Sequence, residues 1–268
     1  MITCGLDLGS GVVKGALIED GRKILNTASR PTRGNPSSAG QQVLEDLAEA
    51  ENLVPGDLAY LCTTGFGRYM FPNRQLQVSD ITSSAKGASF LRPGTRHVLD
   101  IGAQSSRAIR ISPTGKVLKF KMNEKCAAGA GRFVERCSKY LQVPMEDMSA
   151  RALSAQKPKL ISSVCAVLAE TEIINNVAEE VPLPDILMGV YLSLAQRAYS
   201  LMRYVGIESE ITLVGGLVHS EAMVRAVRDT VHMGVNAQSE GHYAAAIGAA
   251  LLGHQRALRL SGPAGVGN

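Results

Sequence analysis

The order of apolar and polar segments along the chain predicts two halves of similar α/β construction. Each half begins with an apolar strand pattern that ends in Asp-X-Gly, at GLDLGSG (5–11) and LDIGAQS (99–105). Two more strand patterns follow in each half, and then helical spacing and a further buried strand. Asp7 and Asp100 are 93 residues apart, so the pattern indicates an internal duplication.

This duplication predicts a division of the chain into two lobes. We expect residues 1–94 and a C-terminal helix at 244–260 to form the first lobe, and residues 95–243 to form the second. Two such halves facing each other would place their equivalent turns across a cleft. The remaining residues, 261–268, are rich in glycine and predict a flexible tail.

Composition and charge disfavour several classes of protein. Hydrophobic residues make up 45% of the chain and charged residues 19%, which is typical of a globular protein. The sequence has no apolar run near the ~20 residues of a membrane span, and its N-terminal pattern is a strand rather than a signal peptide. The net charge of +4 is mild, and no basic stripe with interleaved aromatics is present. We therefore expect a cytoplasmic protein that binds neither nucleic acid nor a membrane.

The two Asp-X-Gly turns are typical of phosphate-binding loops. Glycine lacks the Cβ that would block backbone amides from phosphate oxygens. A carboxylate fits beside a phosphate when Mg²⁺, often through water, lies between them, so we expect Asp7 and Asp100 to hold Mg²⁺. Gln104 is the candidate that positions the attacking water. The residues expected to contact phosphate are Gly9, Ser10, Gly11, Lys14 and Gly102.

LVGGLV (213–218) adds a third element, in which a strand runs into Gly215 and Gly216 before a helix. This arrangement lets a purine and its ribose lie against the backbone. Gly129 and Gly131 are further backbone candidates near the nucleotide. Glu135 has two interpretations, a ribose contact or an exposed helix position.

Together these elements resemble the sugar kinase, heat-shock chaperone and actin superfamily. The resemblance implies an α/β fold, a duplicated actin-like ATPase fold with two lobes around a nucleotide cleft. The Walker pattern GxxxxGK[ST] is absent from the sequence, which disfavours a P-loop ATPase.

Five cysteines in irregular spacing do not suggest a disulfide framework. Cys126, in NEKCAAGAGRF, and Cys165, in SSVCAVLAETE, each precede a predicted helix, whose dipole favours the thiolate. Two ligands do not complete a four-coordinate site. The spacing alone leaves two interpretations open: core cysteines, or metal ligands that a two-fold axis completes with a second subunit.

The cysteine segments resemble those of the BadF/BadG/BcrA/BcrD-type ATPases, which include 2-hydroxyacyl-CoA dehydratase activators and ATPase subunits of benzoyl-CoA reductase. The similarity covers nearly the whole chain, including GLDLGSGVVK, CTTGFGR, LDIGAQ and AAIGAALLG. It implies that Cys126 and Cys165 bind one [4Fe-4S] cluster shared between two subunits, in a homodimer or in a heterodimer with a paralogous ATPase subunit. Cys4, Cys62 and Cys137 match no family ligand and are expected to be structural.

The resemblance also implies ATP/ADP and Mg²⁺ as cofactors, ferredoxin as electron donor and an acyl-CoA-reducing partner. The expected function is an ATP-hydrolysing, iron–sulfur electron-transfer component that drives low-potential electrons into that partner. The segments SSVCAVLAETEIIN and PDILMGVYLSLA favour the benzoyl-CoA reductase subunit of anaerobic aromatic degradation, whereas TTGFGR is closer to an activator. Ala103 and Ser105 depart from the activator pattern Asp-Ile-Gly-Gly-Gln-Asp. A small-molecule kinase and a non-redox actin-like switch are the rival classes.

Three further residues each have two interpretations. Arg68 is a candidate contact for a partner or for phosphate. Glu170 and Glu172 follow Cys165 closely and either face the nucleotide or stabilise their own helix turn.

Overall fold

The computed structural model describes residues 1–54, 56–123, 130–162 and 166–261. They divide into two compact units. The first comprises Met1–Pro93 and the chain from Tyr243 onwards, and the second is Gly94–His242. Of the predicted tail, residues 262–268 lie outside the described residues.

The strands of the described chain are β1 (Ile2–Leu8), β2 (Val12–Glu19), β3 (Lys23–Pro31), β4 (Leu58–Thr64), β5 (Leu76–Gln77), β6 (His97–Ile101), β7 (Ser106–Ile111), β8 (Val117–Met122), β9 (Ile211–Val214) and β10 (Val235–Ala237). The helices are α1 (Pro36–Ala50), α2 (Asp80–Leu91), α3 (Gly131–Tyr140), α4 (Met145–Leu153), α5 (Ala166–Ala178), α6 (Leu183–Val205), α7 (Glu221–Val231) and α8 (Ala244–Ser261).

Each unit contains one mixed sheet, and the two sheets have the same topology among the described residues. The strand order is β3-β2-β1-β4-β5 in the first unit and β8-β7-β6-β9-β10 in the second. In each, the central strand pairs antiparallel with the strand that follows it in sequence and parallel with β4 or β9. The 93-residue repeat therefore corresponds to a repeated sheet whose central strands, β1 and β6, end in the two Asp-X-Gly turns.

Local sequence explains several element boundaries. The β2–β3 hairpin turns at Asp20 and Gly21, whose φ angles of 50° and 64° suit a type I′ turn. Side chains cap three helices by accepting a backbone amide hydrogen bond, Asn35 at α1, Ser79 at α2 and Ser220 at α7. These caps satisfy amides that have no partner within the helix, so each start is fixed locally.

The core of the first unit lies on both faces of its sheet. Apolar side chains of β1 and β2 pack with Val43 and Leu47 of α1 on one face, and side chains of β2 pack with Ile247 of α8 on the other. Small residues let α8 approach closely, because a Cβ at Gly5 or Gly248 would collide with a backbone carbonyl. In the second unit, α3 to α7 contribute to one large core with the sheet. Within the described residues, no helix is both long and apolar enough to cross a membrane.

Candidate functional site

In the first unit, Asp7 is the penultimate residue of β1 and lies directly opposite Lys14 of β2. Directly opposed residues of an antiparallel pair project from the same face of the sheet. The Asp7 Oδ2 atom lies 3.8 Å from Lys14 Nζ, and the two side chains are 13% and 10% exposed. The predicted magnesium ligand and the predicted phosphate contact therefore form a nearly buried ion pair.

The second unit repeats this pair with an arginine. Asp100 of β6 lies directly opposite Arg107 of β7, and Arg107 Nη1 donates a hydrogen bond of 3.0 Å to Asp100 Oδ2. The side chains are 8% and 12% exposed. Sequence reasoning missed Arg107, although the 93-residue repeat, applied to Lys14, leads directly to it.

A glycine with positive φ accompanies each carboxylate, at the end of the neighbouring parallel strand. Gly65 follows β4 with a φ of 85°, and a Cβ there would collide with Asp7 Oδ1. Gly215 follows β9 with a φ of 96°, and a Cβ there would lie 2.6 Å from Asp100 Oδ1. Glycine is required at both positions by the left-handed backbone and by the nearby carboxylate. Gly216, by contrast, has open space where a Cβ would stand.

The two predicted phosphate loops close on themselves through backbone hydrogen bonds. The Gly9 amide donates to Asp7 O at 2.9 Å, and the Gly102 amide donates to Ser105 O at the same distance. A Cβ at Gly9 would lie 2.5 Å from Val12 O, so this turn also requires glycine for space. Gln104 is exposed at the second turn.

Thr32 supports the first loop from the end of β3. Its hydroxyl donates to Gly9 O at 2.7 Å, and its amide donates to Gly11 O at 2.9 Å. Thr32 is buried, whereas Ser10 and Gly11 are half-buried. These two hydrogen bonds fix the carbonyl groups of Gly9 and Gly11 within the loop.

The first turn of α3 is hydrogen-bonded to the second loop. The Gly131 amide donates to Gly102 O at 2.9 Å, and the Arg132 amide donates to Ala103 O at 2.8 Å. Gly131 is buried, and a Cβ there would lie 3.3 Å from Gly102 O. Glu135 is exposed on the same helix. Three other predicted site residues, Cys126, Gly129 and Cys165, lie outside the described residues.

Glu170 links the helices that follow the two candidate ligand cysteines, and Glu172 links α5 to residue 162 before Cys165. Glu170 of α5 forms an ion pair with Arg136 of α3 and accepts a hydrogen bond of 3.3 Å from Tyr140. Glu172 Oε2 accepts the Ser162 amide at 2.6 Å. These contacts reach α3 and residue 162, so they differ from the expectation that the two glutamates stabilise their own helix turn.

The three other cysteines are buried and reduced. Burial raises the thiol pKa of Cys4, Cys62 and Cys137 to about 12 in each case. A thiol with such a pKa remains protonated at neutral pH and is a poor metal ligand. These positions agree with the structural role expected from the sequence.

Arg68 lies in the loop after β4. Its Nη1 atom donates to Gly65 O at 3.1 Å, and its Cζ atom lies 4.6 Å from the centroid of the Tyr69 ring. Both contacts are within its own loop, which begins at the glycine beside Asp7.

The repeated sheet, with an acidic residue and a glycine turn at the end of each central strand, defines an actin-like ATPase fold, as predicted. A solved structure supports this assignment over the full length. The activator of the 2-hydroxyisocaproyl-CoA dehydratase from Clostridium difficile, with bound ADPNP, superimposes with a TM-score of 0.91 and 30% identity, covering 100% of both chains.

Residues 4–253 match the model of the BadF/BadG/BcrA/BcrD ATPase family, and the chain belongs to this family. A subunit of benzoyl-CoA reductase from Thauera aromatica is 36% identical, covering 97% of this chain and 96% of the relative. The activator of lactoyl-CoA dehydratase of Anaerotignum propionicum is also 36% identical, covering 97% and 100%. The family resemblance inferred from the motifs is confirmed, and identity does not separate the reductase subunit from the activator.

Proposed function

We propose that this chain is the ATP-hydrolysing electron-transfer component of an acyl-CoA-reducing system. It takes electrons from ferredoxin, shares one [4Fe-4S] cluster with a second subunit and delivers low-potential electrons to a partner enzyme. Family membership supports the ATPase activity. The similarity to a benzoyl-CoA reductase subunit and to an activator of lactoyl-CoA dehydratase supports a partner that acts on acyl-CoA.

The Asp-X-Gly loops are proposed to bind Mg·ATP. Carboxylate oxygens are the ligands that Mg²⁺ takes, commonly through water, and Asp7 and Asp100 fit this requirement. Because Gly65 and Gly215 have no Cβ, these residues do not collide with the carboxylates of Asp7 and Asp100. Bound there, Mg²⁺ would neutralise charge on the phosphates. The other proposed roles are those predicted from the sequence, with Gln104 positioning the attacking water. The proposed phosphate contacts are Gly9, Ser10, Gly11, Lys14 and Gly102. The residues proposed to lie beside the nucleoside are Gly129, Gly131, Glu135, Gly215 and Gly216.

Cys126 and Cys165 are proposed to bind the cluster, which would supply one-electron transfer when bound. This assignment is carried by the sequence resemblance. It agrees with the burial and high thiol pKa of the three other cysteines, which make those unsuited to ligation.

The observation that carries the proposed coupling is the pair of hydrogen bonds from Gly131 and Arg132 to the second loop. These bonds join Gly102 and Ala103, the first residues of the second loop, to the helix that follows the Cys126 segment. A change of loop conformation on nucleotide binding would therefore shift the first turn of α3. The ion pair between Arg136 and Glu170 extends this connection to α5, which follows Cys165.

Within the class, we favour the ATPase subunit of a benzoyl-CoA reductase, because the segments around Cys165 and in α6 are closer to that subunit. The activator of a 2-hydroxyacyl-CoA dehydratase is the second candidate. It is favoured by TTGFGR and by the superposition on an activator over the full chain.

Anaerobic purification tests the cluster assignment. We expect a brown protein with about four irons per dimer and broad absorption near ~400 nm. Cys126→Ser and Cys165→Ser should each lose this iron, whereas the control Cys62→Ala should keep it. Unchanged iron in Cys126→Ser would contradict the shared cluster, and a colourless wild type that phosphorylates a small molecule would favour a kinase.

The partner enzyme distinguishes the two candidates. With ferredoxin and ATP, the purified chain should support ring reduction by the catalytic subunits of a benzoyl-CoA reductase. Support for a 2-hydroxyacyl-CoA dehydratase instead, with no effect on the reductase, would establish the activator.

A further inference from the structure

We propose that Arg107 is a nucleotide-binding residue, the counterpart in the second unit of Lys14 in the first. In this role it neutralises Asp100 and supplies positive charge to the phosphates at the second loop. The inference rests on the proposed nucleotide site and extends it by a residue that the loop motifs do not contain.

The repeated topology supports this equivalence. Asp7 and Lys14 are directly opposed across β1 and β2, and Asp100 and Arg107 are directly opposed across β6 and β7. Both cations are seven residues after their aspartate and both side chains are almost buried. The duplicated sheet therefore places a cation at the same register position on the same face in each unit.

Charge explains why such a cation is needed. Asp100 and Arg107 together carry no net charge, so the second loop can accept an anionic ligand without repulsion. In the absence of Mg²⁺, loss of the guanidinium would remove the positive charge of this pair and leave the Asp100 carboxylate to repel the phosphates of the nucleotide. The effect is strong at a site with little solvent, because burial reduces screening.

The Asp100–Arg107 pair differs in geometry from the Asp7–Lys14 pair, and this difference gives Arg107 a second role. The Arg107–Asp100 contact is a hydrogen bond of 3.0 Å, whereas Lys14 Nζ lies 3.8 Å from Asp7 Oδ2. A planar guanidinium fixes the direction of a carboxylate more strictly than an ammonium group does. Arg107 is thus also a positioning residue for Asp100.

The test compares three variants of the full chain. Arg107→Met removes the charge and keeps an apolar stem, and Arg107→Lys keeps the charge. Arg110→Met is the matched control, since Arg110 lies on the same strand but is 35% exposed and lies near Glu208, 3.5 Å away. The dissociation constant is measured by calorimetry for Mg·ADP and, with a chelator, for ADP alone.

We expect Arg107→Met to raise the dissociation constant at least about ten-fold for both forms of ADP. Arg107→Lys should stay within about three-fold of wild type, and Arg110→Met should bind like wild type. Wild-type affinity in a folded Arg107→Met variant would overturn the inference. A wild type that binds no Mg·ADP would overturn the proposed function as well.

A double variant separates phosphate binding from simple neutralisation of Asp100, and it also covers the case in which Arg107→Met alone does not fold. Asp100→Asn combined with Arg107→Met leaves neither charge in the pair. Weaker ADP binding than in Asp100→Asn alone would support the contact with phosphate. Equal binding in the two would show that Arg107 serves Asp100 only, and would overturn the inference.

Discussion

At the candidate site, a neighbouring carboxylate restricts which residue type can occupy a position. Gly215 illustrates this, because its backbone has positive φ and its missing Cβ leaves room for Asp100 Oδ1 and Ile101 O. The next residue, Gly216, has no heavy atom within 4 Å of a Cβ position. A side chain would therefore collide with neighbouring atoms at Gly215 but not at Gly216, although the two glycines are adjacent.

Gly215→Ala should lower the free energy of unfolding by about 1–3 kcal/mol, through backbone strain and displacement of Asp100. Gly216→Ala should change it by less than about 0.5 kcal/mol. Urea unfolding of the two variants and the wild type measures the difference. Equal stability of the two variants would contradict the packing around Asp100.

A second residue-scale feature is His97, which is fully buried at the start of β6. Burial is the main cause that lowers its pKa from 6.5 to about 4, and Arg110 lowers it further. In the unfolded chain the imidazole titrates near ~6.5, so protonation favours unfolding. The stability that neutral His97 contributes is complete above that pH and is lost as pH falls from 6.5 towards 4.

His97→Gln should therefore show a smaller loss of stability than wild type between pH 7.5 and pH 4.5. The difference should reach about 2–3 kcal/mol, since each pKa unit corresponds to about 1.4 kcal/mol. His232→Asn is the control, because His232 is exposed at a left-handed helix end that Asn tolerates. If His97→Gln and wild type lose stability in parallel, the buried neutral imidazole is ruled out.

At the scale of elements, the helices that follow the two cysteine segments are linked to each other. The Arg136–Glu170 ion pair joins α3 to α5, and Tyr140 adds a hydrogen bond to the same carboxylate. Glu170 is 14% exposed and Arg136 is 41% exposed. A partly exposed pair of this kind contributes modestly to stability. We expect it to act mainly on the local stability of α5.

Glu170→Gln should reduce global stability by about 1 kcal/mol or less. It should also increase amide hydrogen exchange along α5, as followed by mass spectrometry. The control is Glu179→Gln, because Glu179 is 67% exposed and lies 4.0 Å from Lys159. Equal exchange of α5 in both variants would show that the pair does not restrain the helix.

Some of these elements and residues can be predicted from local sequence patterns. The others depend on which strands pair in the folded sheet. Asp7, Asp100 and Gly215 stand inside short motifs that can be identified without a partner strand. Arg107 lies in SRAIRI, which alternates like many half-buried strands, and its meaning arises only from the register with Asp100. Strands β5 and β10 are two and three residues long, too short for a period, so they were not predicted.

At the scale of the whole molecule, the first unit is assembled from both ends of the sequence. Helix α8 packs on β1, β2 and β4 and lies against α2. A Cβ at Gly87 would collide with Ala244 O, and one at Gly248 would collide with Ser83 O, so these contacts are backbone to backbone. The second unit is continuous in sequence.

Removal of α8 should therefore unfold the first unit selectively. A chain that ends at His242 would expose Ala16 and Ile18 of β2, which are buried in wild type. Hydrogen exchange should show lost protection in β1 to β5, α1 and α2, with protection retained in the sheet of the second unit. A chain that ends at Ser261 keeps α8 and is the control, with protection expected to match wild type. Retained protection in β1 and β2 of the shorter chain would refute the dependence of the first unit on its C-terminal helix.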